Sequence, residues 1–409
     1  MKILQLCKKF PFPLKDGESI AVNAIAQGLT DQGVKMDLLA MNTTRHFTTV
    51  DSEVIRSLPH ETIKWVPVNT DLKVIGAIKS LLEGSSYHLK RFQDEEFGQA
   101  VKNMIKQAAE PYDFILLESL YLLPYLQDIR EVTDAKIILR SHNLEWEIWS
   151  RLAENHRNPL WKWYLRKLSR KLRDYEVSTI NEVDYLLPIS PVDRDQYEEM
   201  GYKRVLYTLP LGIDLDRYPV TSSSSTSYFD IGFIGSLDWR PNLEGLHWFI
   251  KEVWPDVRER FSGKFRLHIA GRNTPSGIKE LKSEDILIHG EVEDAVKYMQ
   301  QYDFFIVPLF SGSGMRVKIL EAMAMGKIVI SSDVGIEGIP ASEDKEYIRA
   351  NTRAEYLTAF DKIFSGGYPN RILGRNARSF VEDNYEIGLI SSRLFHFLQS
   401  IMDESFYEV

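Results

Sequence analysis

Short, nearly continuous apolar segments, each followed by a stretch of helical periodicity, recur along this 409-residue chain. Lys2–Cys7, Met36–Ala40, Phe114–Glu118, Lys136–Ser141 and Tyr185–Ile189 form one series. Tyr228–Ile234, Phe265–Ala270, Ile286–His289, Phe304–Pro308 and Lys327–Ser331 form a second. A strand that is apolar on both faces has to be covered on both faces, so this alternation predicts parallel sheets sandwiched between helices. Two series predict an α/β chain of two doubly wound, Rossmann-like domains facing a central crevice, with ligands at the carboxyl ends of the strands. The length suits two cores of roughly 200 residues better than one. The polar run Thr221–Ser227 reads as a linker or loop. The expected domains are residues 1–210 and 211–380, with a C-terminal helix, 381–409, returning to the first.

Composition excludes several classes. At 44% hydrophobic and 26% charged residues the chain is neither disordered nor fibrous. Its one cysteine, Cys7, cannot form an intrachain disulfide. Lys8 and Lys9 cut the first apolar run short of a signal-peptide core, and no later run approaches the ~20 residues of a membrane span. The expectation is a soluble, cytoplasmic protein. Net charge is −8, with 28 basic and 29 acidic residues in 1–210 and 22 against 29 in the remainder. A surface of that sign repels a phosphate backbone, so nucleic acid is not an expected partner.

The most informative segment runs from Phe304 to Lys327. A strand leads into Ser311-Gly-Ser-Gly314, and helix-forming sequence starts immediately afterwards. Unpaired N–H groups and the positive dipole end at such a helix start form an anion site suited to phosphate. Gly312 and Gly314 let backbone approach closely, and Gly314, Lys318 and Glu321 (i, i+4, i+7) share one helical face. Lys318 is placed to add a charge to a pyrophosphate. Glu321, roughly 10 Å along the axis, is placed to accept hydrogen bonds from ribose hydroxyls. The dinucleotide fingerprint fails because Val317 stands where its third glycine belongs, and no P-loop spacing occurs.

Pro308 to Gly335 closely resembles the donor-binding signature of the family 4 glycosyltransferases, which have the GT-B fold. Asp230–Asn242 resembles the first strand and donor loop of that family's C-terminal domain. Pro210–Asp214 resembles its interdomain motif, with Leu211 replacing the usual Asn. Arg140-Ser-His-Asn143 resembles the N-domain strand end whose histidine lies near the reacting sugar. The resemblance implies a retaining hexosyltransferase that moves a sugar from a nucleotide diphosphate sugar to an acceptor hydroxyl. It also implies a donor set of Gly17, Gly235, Arg240, Gly312, Ser313, Gly314, Met315, Arg316, Lys318 and Glu321, with His142, Lys318 and Glu321 as the catalytic residues. Two departures stand out. The first Glu of the family's Glu-x7-Glu pair is Ser313 here, and the glycine pair after the first strand is reduced to Gly17.

Asp193/Asp195 and Asp214/Asp216 have a spacing that can hold Mg²⁺ or Mn²⁺ beside phosphates. The first pair begins a helix after Pro191, the second lies in the connector, and neither follows a strand that carries a phosphate loop. No His/Cys cluster has zinc spacing. Metal-independent chemistry is expected, without a cofactor.

Residues 157–173 contain seven cations and no acid, with Trp161, Leu165, Leu168 and Leu172 on one helical face. This suits peripheral contact with anionic lipid, a cradle for a lipid-linked acceptor, or a core-packed helix with a charged outer face. The expected function is sugar transfer to a saccharide or lipid-linked saccharide in bacterial polysaccharide or glycolipid synthesis. The alternatives are a nucleotide-sugar epimerase of the same fold and a non-catalytic sugar-nucleotide-binding module.

Overall fold

The protein is described from a computed structural model. It covers all residues except 15–16, 72–86, 155–157, 221–227, 313, 367–369 and 408–409. The proposed linker Thr221–Ser227, the donor-set residue Ser313 and Arg157 of the basic segment therefore lie outside the described residues. The chain forms two compact units. One is Met1–Gly212 with Ile387–Val409, and the other is Ile213–Glu386.

The first unit holds a seven-stranded sheet: β1 (Lys2–Cys7), β2 (Lys35–Thr43), β3 (Thr62–Val68), β4 (Phe114–Leu117), β5 (Lys136–Ser141), β6 (Tyr185–Pro188) and β7 (Val205–Leu206). Their spatial order is β3-β2-β1-β4-β5-β6-β7. The second unit holds β8 (Phe229–Ile234), β9 (Phe265–Ala270), β10 (Ile286–Gly290), β11 (Phe304–Val307), β12 (Ile328–Ser331) and β13 (Ile348–Arg349). Their order is β10-β9-β8-β11-β12-β13. Each recorded strand pair is parallel. These are two doubly wound sheets, and in each the order reverses beside the first strand, between β1 and β4 and between β8 and β11.

The central strands are buried on both faces, as their unbroken apolar sequences require, while the edge strands β3, β7 and β10 keep exposed or half-buried positions. β4, β11 and β12 are buried at every position. One face of the first sheet packs Leu4, Leu39, Ile115 and Leu139 into a large core, and the other packs Ile3, Met36, Phe114 and Ile138 into a second.

The helices used below are α1 (Gly17–Thr30), α2 (Glu145–Glu154), α3 (Pro159–Thr179), α4 (Arg240–Trp248), α5 (Val317–Ala324), α6 (Asn370–Tyr385) and α7 (Ile387–Tyr407). The C-terminal helical stretch is divided between the two units: α6 belongs to the second and α7 to the first. In α7, Ile390, Leu394, Leu398 and Ile401 recur at helical spacing, and all four are buried in the second core of the first unit. Phe397 stacks on Tyr207 with ring centroids 4.3 Å apart. Helix α7 is thus part of that core. Leu394→Ala should lower the unfolding free energy by about 2–5 kcal/mol; a loss below about 1 kcal/mol in denaturant titration would show that the core closes without it.

Candidate functional site

The chemistry-bearing side chains gather in two places, one at the carboxyl edge of each sheet, where open α/β sheets bind ligands.

In the second unit the switch point between β8 and β11 is occupied by Lys318. Its Nζ donates to the carbonyl of Ile234, the last residue of β8, at 3.1 Å, and to Asn242 Oδ1 at 3.0 Å. Asn242, in the first turn of α4, is buried, and its Nδ2 donates to Ser236 O at 3.0 Å. Gly235 makes this arrangement possible. A Cβ there would lie 2.6 Å from Asn242 Nδ2 and 3.2 Å from Lys318 Nζ. The partly buried lysine is pushed down to about 7. Burial is the largest cause, the neighbouring Arg316 charge adds to it, and Glu321 opposes both.

One turn further along α5, Glu321 Oε1 accepts from Tyr218 Oη at 2.7 Å. Burial pushes the carboxyl up, against the pull of that hydrogen bond and of Arg217 and Lys318. The loop before α5 starts the helix later than the sequence pattern suggests. Gly312 and Gly314 have φ of 112° and 81°, a region that L side chains rarely enter, so α5 begins at Val317 and Gly314 lies in the loop. Gly314 is therefore not on the helical face that Lys318 and Glu321 share. At Gly312 a Cβ would also press on the Trp239 ring at 2.9 Å. Arg316 is buried, lies with its guanidinium carbon 5.3 Å from the Trp239 ring centroid, and donates to Gly314 O.

Gly235, Gly312, Gly314, Arg316, Lys318 and Glu321 thus lie around the β8 and β11 ends, and Met315 lies in the same loop. Arg240 is also in this unit, but its Nε pairs with Glu244 on its own helix at 2.5 Å. Gly17 belongs to the first unit. There it is the exposed first residue of α1 and not a loop residue as its sequence context suggests. Asn242 and Tyr218, the hydrogen-bond partners of Lys318 and Glu321, are the residues of this cluster that sequence reasoning missed. The only signal was the presence of Asn242 in the donor-loop-like segment.

In the first unit His142 follows β5 directly, and its Nε2 lies 2.9 Å from Glu118 Oε2. Glu118 follows β4 and is 1% exposed. It also accepts from Gln5 Nε2 at 2.6 Å and from Arg140 Nη1 at 3.3 Å. Burial pushes this carboxyl up, but the Arg140 charge and the bonds from His142 and Gln5 outweigh it, leaving it below the ordinary range. With Glu118 ionised and able only to accept, the hydrogen between the two side chains is carried by Nε2 of His142. Gln5 Oε1 in turn meets His60 Nε2 at 2.8 Å, and burial lowers His60 to about 4, so that ring is neutral. Glu118 escaped sequence reasoning because its partners come from β1 and β5.

Asp193 takes a hydrogen bond from Ser190 Oγ at 2.7 Å at a helix start, and Asp214 caps the turn Leu215–Arg217. Among the described residues no three His, Cys, Asp or Glu side chains gather as a metal set. No helix among the described residues is long and apolar enough to cross a membrane. A cavity of about 800 Å³ borders Asp113, Phe114 and Lys136, at the start of β4 and β5, the opposite edge from His142.

Residues 228–364 match the family Glycosyl transferases group 1. An uncharacterized 44.6 kDa protein in the cps region of Klebsiella pneumoniae is 28% identical over 306 residues, 69% of this chain and 74% of that protein. The crystal structure of Anabaena HepE in complex with UDP superposes with a TM-score of 0.67 at 13% identity, covering 98% of this chain and 100% of that one. A sucrose-phosphate synthase from Thermosynechococcus elongatus superposes with a TM-score of 0.70 at 15% identity, covering 99% and 100%.

If Glu118 fixes the His142 tautomer, Glu118→Gln should turn the Nε2–H form into a mixture. Imidazole ¹⁵N shifts identical to wild type would contradict the assignment. The chain has the GT-B fold, and residues 228–364 of its second unit are similar to the Glycosyl transferases group 1 family.

Proposed function

We propose that this protein is a retaining, metal-independent glycosyltransferase that moves a hexosyl group from a nucleoside diphosphate sugar to an acceptor hydroxyl. The second unit binds the donor and the first binds the acceptor. The observation that carries the reading is Lys318, an ammonium held between the carbonyl at the end of β8 and Asn242, with a glycine loop beside it. A cation whose pKa has been lowered by burial is stabilised by the arrival of a dianion. Backbone N–H groups at the start of α5 add donors for the same phosphates. In this reading Glu321, with Oε1 fixed by Tyr218, offers Oε2 to the ribose hydroxyls. Electrostatic stabilisation of the departing diphosphate drives bond cleavage, and His142 hydrogen-bonds a hydroxyl of bound sugar through Nδ1.

UDP-sugars are the first candidates as donor, because structural neighbours were crystallised with UDP and UDP-glucose. The acceptor class is a saccharide or lipid-linked saccharide. The relative from a cps region supports a place in polysaccharide synthesis. A cytoplasmic site follows from a cytoplasmic supply of activated sugar. His142, Lys318 and Glu321 are the residues assigned to catalysis.

Ligand binding, turnover and pH dependence test the reading. In a thermal-shift panel of UDP, GDP, ADP and their sugars, one nucleotide should stabilise the chain by mass action. Lys318→Ala should weaken that ligand by about 1.5–3 kcal/mol, the worth of a charge-assisted hydrogen bond, or roughly ten- to a hundredfold. Glu321→Ala should remove discrimination in favour of the ribose hydroxyls. Unchanged binding in both variants would refute the site. Transfer should survive EDTA, and NMR of the product should show the donor's anomeric configuration.

A further measurement uses pH. Free Lys318 titrates near 7, and a bound diphosphate raises its pKa, so binding takes up a proton when the pH lies above 7. Affinity for UDP should therefore fall as pH rises from 7 to 9. Calorimetry in buffers of different ionisation enthalpy should register uptake approaching one proton at pH 8. Lys318→Met should abolish the uptake; uptake that persists in this variant would assign the proton elsewhere.

A further inference from the structure

Helix α3 carries a surface that the donor and His142 sites leave unused. Its inward side is settled: Leu165, Leu168 and Leu172 are buried, and Ser169 Oγ donates to Trp146 O at 2.7 Å, docking the helix on α2. The outward side is not an ordinary solvated face. Leu160 is 77% exposed, Trp163 60% and neighbouring Trp161 55%. Arg166, Lys167 and Arg170 follow Trp163 at i+3, i+4 and i+7, which places them on the same side of the helix, and all three are exposed. Lys167 Nζ lies 5.3 Å from the Trp163 ring centroid. Among the described residues no acidic side chain pairs with Arg166, Lys167 or Arg170.

Apolar groups and unneutralised cations on one line of a helix match a surface that is apolar at depth and anionic at its rim. The indole ring is stable at the headgroup level of a bilayer, and Leu160 reaches further into it. Arginine and lysine stems lie along the apolar boundary while their charged heads remain at the phosphates. A nucleic acid would satisfy the cations but leave Leu160 in water. The net charge of −8 does not oppose the contact, because charges beyond about 8 Å are screened at physiological salt and a lipid surface meets only the local stripe. The geometry points to α3 as an interfacial anchor that seats this protein, through Leu160, Trp163, Arg166, Lys167 and Arg170, on an anionic lipid bilayer. The inference stands independently of the transferase reading, since it uses none of the donor-site residues.

The test is sedimentation of the full chain with vesicles of phosphatidylcholine alone or mixed equally with phosphatidylglycerol. Binding should be at least about tenfold stronger to the mixed vesicles and should weaken with added salt. The triple variant Arg166→Glu, Lys167→Glu, Arg170→Glu should lose at least about tenfold in partitioning. The pair Leu160→Ser, Trp163→Ser should weaken binding at unchanged charge and remove the blue shift of tryptophan emission on vesicle addition. All five side chains are exposed, so circular dichroism and Tm should match wild type. As a control for net charge, Lys279→Glu, Lys282→Glu, Lys297→Glu changes the same charge on the second unit and should cost less than about twofold. No binding to mixed vesicles would overturn the proposal. So would equal binding to both vesicle types, wild-type binding by the Leu160/Trp163 pair, or equal losses in the control triple.

Discussion

Parallel pairing of every strand is the constraint on which the rest depends. When all strands run one way, all their carboxyl ends fall on one edge, and the loops after them must turn there. Side chains that are distant in sequence then meet without any element designed to carry them together. In the first unit this brings Gln5 of β1, Glu118 after β4, and Arg140 and His142 at the end of β5 into one hydrogen-bonded set. In the second it brings the end of β8, the first turn of α4 and the start of α5 around Lys318.

The two edges solve the problem of a buried charge in opposite ways. Glu118 is ionised because three donors, one of them a guanidinium, outweigh the loss of water. Such a set adds little net stability, but removing one partner leaves an uncompensated charge at high cost. Lys318 makes its hydrogen bonds to neutral acceptors, a carbonyl and an amide oxygen; burial and the cation Arg316 outweigh the charge of Glu321 and take it down to about 7. In the proposed reading an arriving dianion would supply the charge that the second edge lacks, so local geometry there would override the acidic bulk charge of that part of the chain.

The alternation of apolar runs and helical stretches was sufficient to read two doubly wound α/β units, because burial on both faces of a strand is recorded in the strand's own residues. Details that depend on backbone sign or distant partners were not legible. The start of α5 moved to Val317 because Gly312 and Gly314 take positive φ, which a glycine permits but does not announce. Gly17 became the first residue of a helix. Arg240 was drawn to Glu244, four residues away, a pairing any helix offers. The basic segment could be read as a core-packed helix, a lipid-facing helix or a cradle for a lipid-linked acceptor; which of its side chains face out, Leu160, Trp161 and Trp163 among them, became visible only in the fold.

The amino-acid sequence by itself determined the fold class and the identity of the charged residues on α5, since hydrophobic period and glycine placement are local properties. Tertiary structure alone decided the partners of those charges. Asn242 reaches Lys318 across 76 residues and Tyr218 reaches Glu321 across 103. Glu118 and His142 meet because β4 and β5 pair in register. Protonation states follow from these partners and from burial, and both exist only once the sheets have closed.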